Sequence, residues 1–211
     1  MSRAEREARE AAEFPVVGIG ASAGGITGLQ ALFKAIPGKP NLAFVVVQHL
    51  APDRPSQLTT LIAGWRGLSL REAREGVKLE RDCVFVAPPD RVLVLESGAF
   101  AVQALDRAGS RAGADTIDSF FESLAIDVGR RAVAVVLSGT GTDGAAGAVR
   151  IRQAGGMVLV QDPIIAMYDG MPRAAIASGA ADRIMPLGTR AGAHRLCISR
   201  LCPSIRGVLG R

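Results

Sequence analysis

The chain has 211 residues, of which 48% are hydrophobic and only 4% aromatic; that size suits one α/β domain able to bury roughly 70% of its unfolded surface, and it does not suit two. The net charge of +5 is no sign of a nucleic-acid groove, because residues 187–211 hold five arginines and no acid and so leave 20 basic against 20 acidic residues in the rest; few aromatics are there to stack on bases. Cys83, Cys197 and Cys202 make an odd count that builds no disulfide framework, and with His194 the last two are weak evidence for zinc, so a reducing compartment, no metal and no cofactor are expected.

Residues 1–13 are charged, helix-prone and without an apolar stretch. They read as a solvated helix or linker, neither signal peptide nor membrane anchor, and the expected location is the cytoplasm. A strand is predicted over 14–20, then a glycine-rich turn, then a helix on which Ile26, Leu29, Leu32, Phe33 and Ile36 recur until Pro37-Gly38 stops it. Residues 42–48 are a continuous apolar run, as a parallel strand buried on both faces requires, and the first unit is β-α-β.

His49 ends that second strand, and a loop leads to a helix carrying Leu58, Leu61, Ile62 and Trp65. Over 68–105 the pattern changes to period two, with runs at 83–87, 92–95 and 99–102 and the two-residue turn Ser97-Gly98 between the last pair. This stretch reads as a hairpin insertion and not as another crossover. A loop at 106–115 precedes a helix with Ile117, Phe120, Phe121, Leu124 and Val128 inward, and 132–137 repeats the buried-strand signature. Ser138-Gly-Thr-Gly-Thr-Asp-Gly144 is a second glycine-rich turn, followed by a helix that ends before Gly155-Gly156. A strand at 157–160, a short helix opened by Pro172 at its first position and a last strand at 184–187 complete the pattern. The fold class is therefore α/β: a doubly wound, mostly parallel sheet with helices on both faces and a β-hairpin insertion. Residues 14–187 form the domain, and 188–211 read as a basic, poorly ordered tail.

Three readings fit the first glycine-rich turn. Gly20-Ala-Ser-Ala-Gly24 matches the nucleophile elbow G-x-S-x-G; Gly18-Ile-Gly-Ala-Ser-Ala23 matches the dinucleotide fingerprint G-x-G-x-x-A; and the glycines could simply make a tight turn with Ser22 as a helix N-cap. The dinucleotide reading needs an acidic residue about 20 positions on, and there is none between Glu13 and Asp53. In a doubly wound sheet, functional residues gather at the carboxyl ends of the strands. Ser22, His49 and Asp143 all fall there, although Ser22 and Asp143 also have a reading as helix caps and His49 as a polar strand end. A serine needs a histidine to take its proton and a carboxylate to fix that histidine's tautomer. The only other histidine, His194, lies in the tail. Backbone N–H groups at the turn, notably that of Ala23, are candidate oxyanion donors. The order Ser, His, Asp is not that of the α/β-hydrolases.

Several motifs in order resemble the catalytic domain of the bacterial chemotaxis protein-glutamate methylesterases (CheB-type): Gly20-Ala-Ser-Ala-Gly-Gly25, Val47-Gln-His49, Ile117-Asp118, Ser138 to Gly144, Ala154-Gly-Gly-Met157, Gln161-Asp162 and Gly170-Met-Pro-Arg173. The resemblance covers about residues 14–187. It implies hydrolysis of glutamate γ-methyl esters on receptor cytoplasmic helices with release of methanol, and in some members amidase action on glutamines. It assigns the nucleophile to Ser22, the base to His49 and the orienting acid to Asp143. Ala23 stands where such proteins usually have threonine, and Thr140, which would contribute through its backbone, stands where they usually have methionine. These variants look like the branch fused or paired with a receptor methyltransferase, which makes that enzyme a second candidate partner beside the receptor helices; neither nucleic acid nor membrane insertion is expected. Residues 1–13 are too few for the receiver domain that usually precedes the esterase, so regulation is expected from another chain or a fused partner. The rival to the enzyme is a catalytically weak module that binds receptor helices or the methyltransferase.

Overall fold

The computed structural model of the chain describes residues 14–36, 39–48, 67–104 and 115–187. Its centre is β1 (Val16–Ala21), a six-residue strand buried along its whole length. No charge interrupts it, so it can take a parallel neighbour on each side: β2 (Ala43–Gln48) and β7 (Ala132–Val136). Outward from β2 lie β4 (Cys83–Val86) and the edge strand β3 (Ser69–Glu72); outward from β7 lie β8 (Met157–Gln161) and the edge strand β9 (Arg183–Met185). The resulting order is β3-β4-β2-β1-β7-β8-β9, with every pair parallel.

The hairpin is narrower than the sequence suggests. Among the described strands β5 (Arg91–Glu96) and β6 (Ala99–Ala104) are the antiparallel pair, joined through Ser97 and Gly98, both at positive φ as a tight hairpin turn demands. The run at 83–87, read above as part of the insertion, instead enters the main sheet beside β2, with Ala43 opposite Cys83 and Val46 opposite Val86. The four residues of β4 are all buried. A strand covered on both faces shows no alternation, and its neighbours in the chain misled the period reading.

Alternation along the strands divides the core into two faces. On one, Val17, Ile19, Phe44, Val46, Val133 and Val135 pack under helix α1 (Gly25–Ala35) through Leu29, Leu32 and Phe33. On the other, Val45, Val47, Ala134 and Val136 meet helix α2 (Thr116–Val128), helix α3 (Ala145–Gln153), helix α4 (Gly170–Ala177) and the inner side of the hairpin. Helix α4 starts at Gly170, so Pro172 lies within its first turn and not at its first position. Gly18 and Gly20 face α2: a Cβ on Gly18 would lie 2.9 Å from Leu124 and 3.0 Å from Phe120, and one on Gly20 would collide with Ile117. The glycines of β1 thus let α2 lie directly on the central strand, bringing its N-terminus to the strand's carboxyl end. The predicted helix bearing Leu58, Leu61, Ile62 and Trp65, residues 1–13 and the tail lie outside the described residues.

Candidate active site

Ser22 is the first residue beyond β1. Its N–H donates to the Ser138 carbonyl at 3.0 Å, its own carbonyl accepts from Gly25 at 3.0 Å, and 9% of its surface is exposed. It is not the N-cap of α1; Gly24, at φ 73°, takes that position. Ala23 stands exposed next to it. The turn after β7 folds against this one so closely that a Cβ on Gly139 would lie 2.7 Å from Ser22 Cβ and would overlap Met171. Thr140, exposed, follows immediately. Ser22, Ala23 and Thr140 therefore gather where β1 and β7 end.

Asp143, 7% exposed, closes the same turn. It caps a helix, but not the one that follows it. Ile117 N–H donates to its Oδ2 at 3.0 Å and Asp118 N–H to its Oδ1 at 2.9 Å. These are the second and third residues of α2, whose own N-cap residue, Asp115, sits at φ 71° with no side-chain cap bond. Asp143 thus replaces the missing N-cap, and the positive end of the α2 dipole faces its carboxylate. Because each carboxylate oxygen carries two lone pairs, two backbone donors leave the group able to accept from a third partner.

The family model described as CheB methylesterase matches residues 17–193. The chain belongs to the CheB methylesterase family. Among the CheB-type relatives are a protein-glutamate methylesterase/protein-glutamine glutaminase of Moorella thermoacetica, 35% identical over 82% of this chain and 41% of its own length, and counterparts of Pseudomonas aeruginosa (37%; 82% and 50%) and Anaeromyxobacter dehalogenans (37%; 88% and 55%). The chain spans about half the length of these relatives. A crystal structure titled Thermotoga maritima CheB methylesterase catalytic domain superposes with a TM-score of 0.77 at 26% identity, over 92% of this chain and 100% of that one.

His49 lies outside the described residues, next to Gln48, which ends β2 opposite Ala21. No sequence motif assigns a role to the residues that lock these turns together. Ser138 Oγ donates to the Ala23 carbonyl at 2.9 Å and accepts from Tyr168 N–H at 3.0 Å, while Ser138 N–H donates to Gln161 Oε1 at 2.7 Å. Gln161 Nε2 reaches the Leu187 carbonyl at 2.5 Å. Two buried side chains thereby join the turn after β1, the turn after β7 and the segment after β8. The available signal was a serine and a glutamine placed directly after apolar strands, where a buried polar group must find partners. The segment after β8 is itself apolar and exposed at Ile164, Met167 and Tyr168.

Asp115, Asp118 and Asp143 hold oxygens within 4.8 Å of one another. Asp118 Oδ1 also accepts from Gly147 N–H at 2.5 Å. Burial, with the charges of Asp143 and Asp115 adding to it, pushes the Asp118 carboxyl above its ordinary range. Cys83 is buried in β4, and burial pushes its thiol up to about 11. Among the described residues no helix is long and apolar enough to cross a membrane.

Proposed function

We propose that the chain is a cytoplasmic serine hydrolase that removes methyl groups from glutamate γ-methyl esters on receptor cytoplasmic helices, and that it can release ammonia from receptor glutamines by the same route. What supports this most is the convergence of two turns at one end of the sheet. The Ser22 backbone is fixed by Ser138 and packed by Gly139, and the loop that supplies Gly139 also supplies Asp143. Family membership and the names of the relatives agree with it.

In this reading Ser22 Oγ attacks the ester carbonyl while His49 takes its proton. Asp143 orients the imidazole and stabilises the imidazolium. The N–H groups of Ala23 and Thr140 bind the oxyanion, each worth roughly 3 to 4 kcal/mol. Collapse of the tetrahedral intermediate breaks the C–O bond, and the His49 proton leaves on methanol. Water then attacks the acyl-serine, giving its proton to His49, which returns it to Ser22 as the free carboxylate departs.

The test is methanol release from a methylated receptor cytoplasmic fragment. Ser22→Ala, His49→Ala and the double variant should lose activity by similar large factors and not additively, because the two groups act as one unit. Full methanol release by Ser22→Ala would contradict the serine mechanism, and no release by the parent protein would favour a binding module.

A further inference from the structure

Helices α2 and α3 begin side by side, and neither caps itself. The N-cap position of α3 is Gly144, which has no side chain to offer, and that of α2 is Asp115, whose side chain makes no cap bond. Each helix is instead capped by an aspartate belonging to the other unit. Asp143, just before α3, accepts from Ile117 and Asp118 of α2, while Asp118, the third residue of α2, accepts from Gly147, the third residue of α3. The approach is close enough to require Gly147, since a Cβ there would lie 2.6 Å from Phe121 Cβ and 2.9 Å from the Asp118 carbonyl oxygen.

We propose that Asp118 is a positioning residue for the hydrolytic site, holding the start of α3 against α2 so that the Asp143 carboxylate keeps one orientation. The proposal rests on the reading of Asp143 as the acid that orients His49. Asp143 lies four residues before Gly147, and the residues between them, Gly144, Ala145 and Ala146, carry no polar side chain that could hold the turn. Without the Asp118 acceptor, the Gly147 N–H in the first turn of α3 loses this partner, and the turn that carries Asp143 loses one of its ties to α2. Asp118 is half-buried beside two other carboxylates, a placement that costs stability and raises its carboxyl, and the bond to Gly147 N–H is what that placement secures.

The experiment is kcat and KM for methanol release from a methylated receptor cytoplasmic fragment, in Asp118 variants of the full chain with and without Asp143→Ala. Asp118→Ala should lower kcat about 10- to 100-fold, as a displacement of about 1 Å at a catalytic group does, with KM unchanged. Asp118→Asn, whose oxygen can accept the same Gly147 N–H, should rescue it. In the Asp143→Ala background Asp118→Ala should remove nothing further. Parental kcat in Asp118→Ala, or an equal loss in both backgrounds, would overturn the proposal. Should Asp118→Ala not fold, Asp118→Glu moves the acceptor by one methylene and should still cost kcat at constant KM; parental kcat there would overturn it equally. Parental kcat in Asp143→Ala would overturn the reading of Asp143 and this proposal together, whereas an impaired Asp143→Ala beside a fully active Asp118→Ala overturns this proposal alone.

Discussion

The sequence offers Asp143 as an orienting acid or as a helix cap; its bonds to Ile117 and Asp118 make it a cap, and the orienting role is the one proposed above. Asp143→Asn keeps one of the two acceptor oxygens, and so part of the cap, while lowering turnover by up to roughly 10⁴, the loss expected when a histidine's tautomer is no longer fixed. Asp143→Ala should in addition cost about 1 kcal/mol of stability for the lost cap; paired thermal melts and methanol assays separate the two effects. Asp118 adds a pH dependence of known sign. Its carboxyl is raised above 3.8 in the folded protein, chiefly by burial, so the folded state binds the proton more tightly than the unfolded one. The stability it contributes is full below about 3.8 and is lost as pH rises through the raised folded value. Melting temperatures of Asp118→Asn, compared with the parent across that window, should gain on the parent as pH increases. The same logic applied to Cys83, raised to about 11, predicts a thiol that iodoacetamide does not alkylate at pH 8 until the protein unfolds.

At the scale of elements, the strands flanking Ser22 and Asp143 were readable because continuous apolar runs and glycine-rich turns are local signals. The placement of β4 was not, because a buried four-residue strand carries no alternation and its partnership with β2 is set by a crossover that no local pattern records. The glycines of β1 were readable as a motif but not for their use. They resemble a phosphate-binding turn, yet Gly18 and Gly20 make room for Ile117, Phe120, Phe121 and Leu124. Gly18→Ala should therefore destabilise by about 1 to 3 kcal/mol through overpacking, measured by urea denaturation. Gly139→Ala should act differently, driving a methyl between Met171 and Ser22 and abolishing activity in protein that still folds. Ser138 and Gln161 escaped assignment because their partners, Ala23, Tyr168 and Leu187, lie far away in sequence.

Across the whole molecule, a parallel sheet with β1 at its centre presents the carboxyl ends of β1, β2 and β7 side by side, and the turns after β1 and β7, distant in sequence, meet above them. The two apolar faces hold this geometry from opposite sides, and α2 transmits it to the site by lying on β1 while binding Asp143 at its N-terminus. The central claim is that this assembly turns Ser22 into a nucleophile. It is tested most directly by treating the protein with a fluorophosphonate and mapping the adduct by mass spectrometry, beside His49→Ala. One adduct per chain on Ser22, much slowed in His49→Ala, is the predicted result; labelling elsewhere, or equal labelling of Ser22 with and without His49, would contradict it.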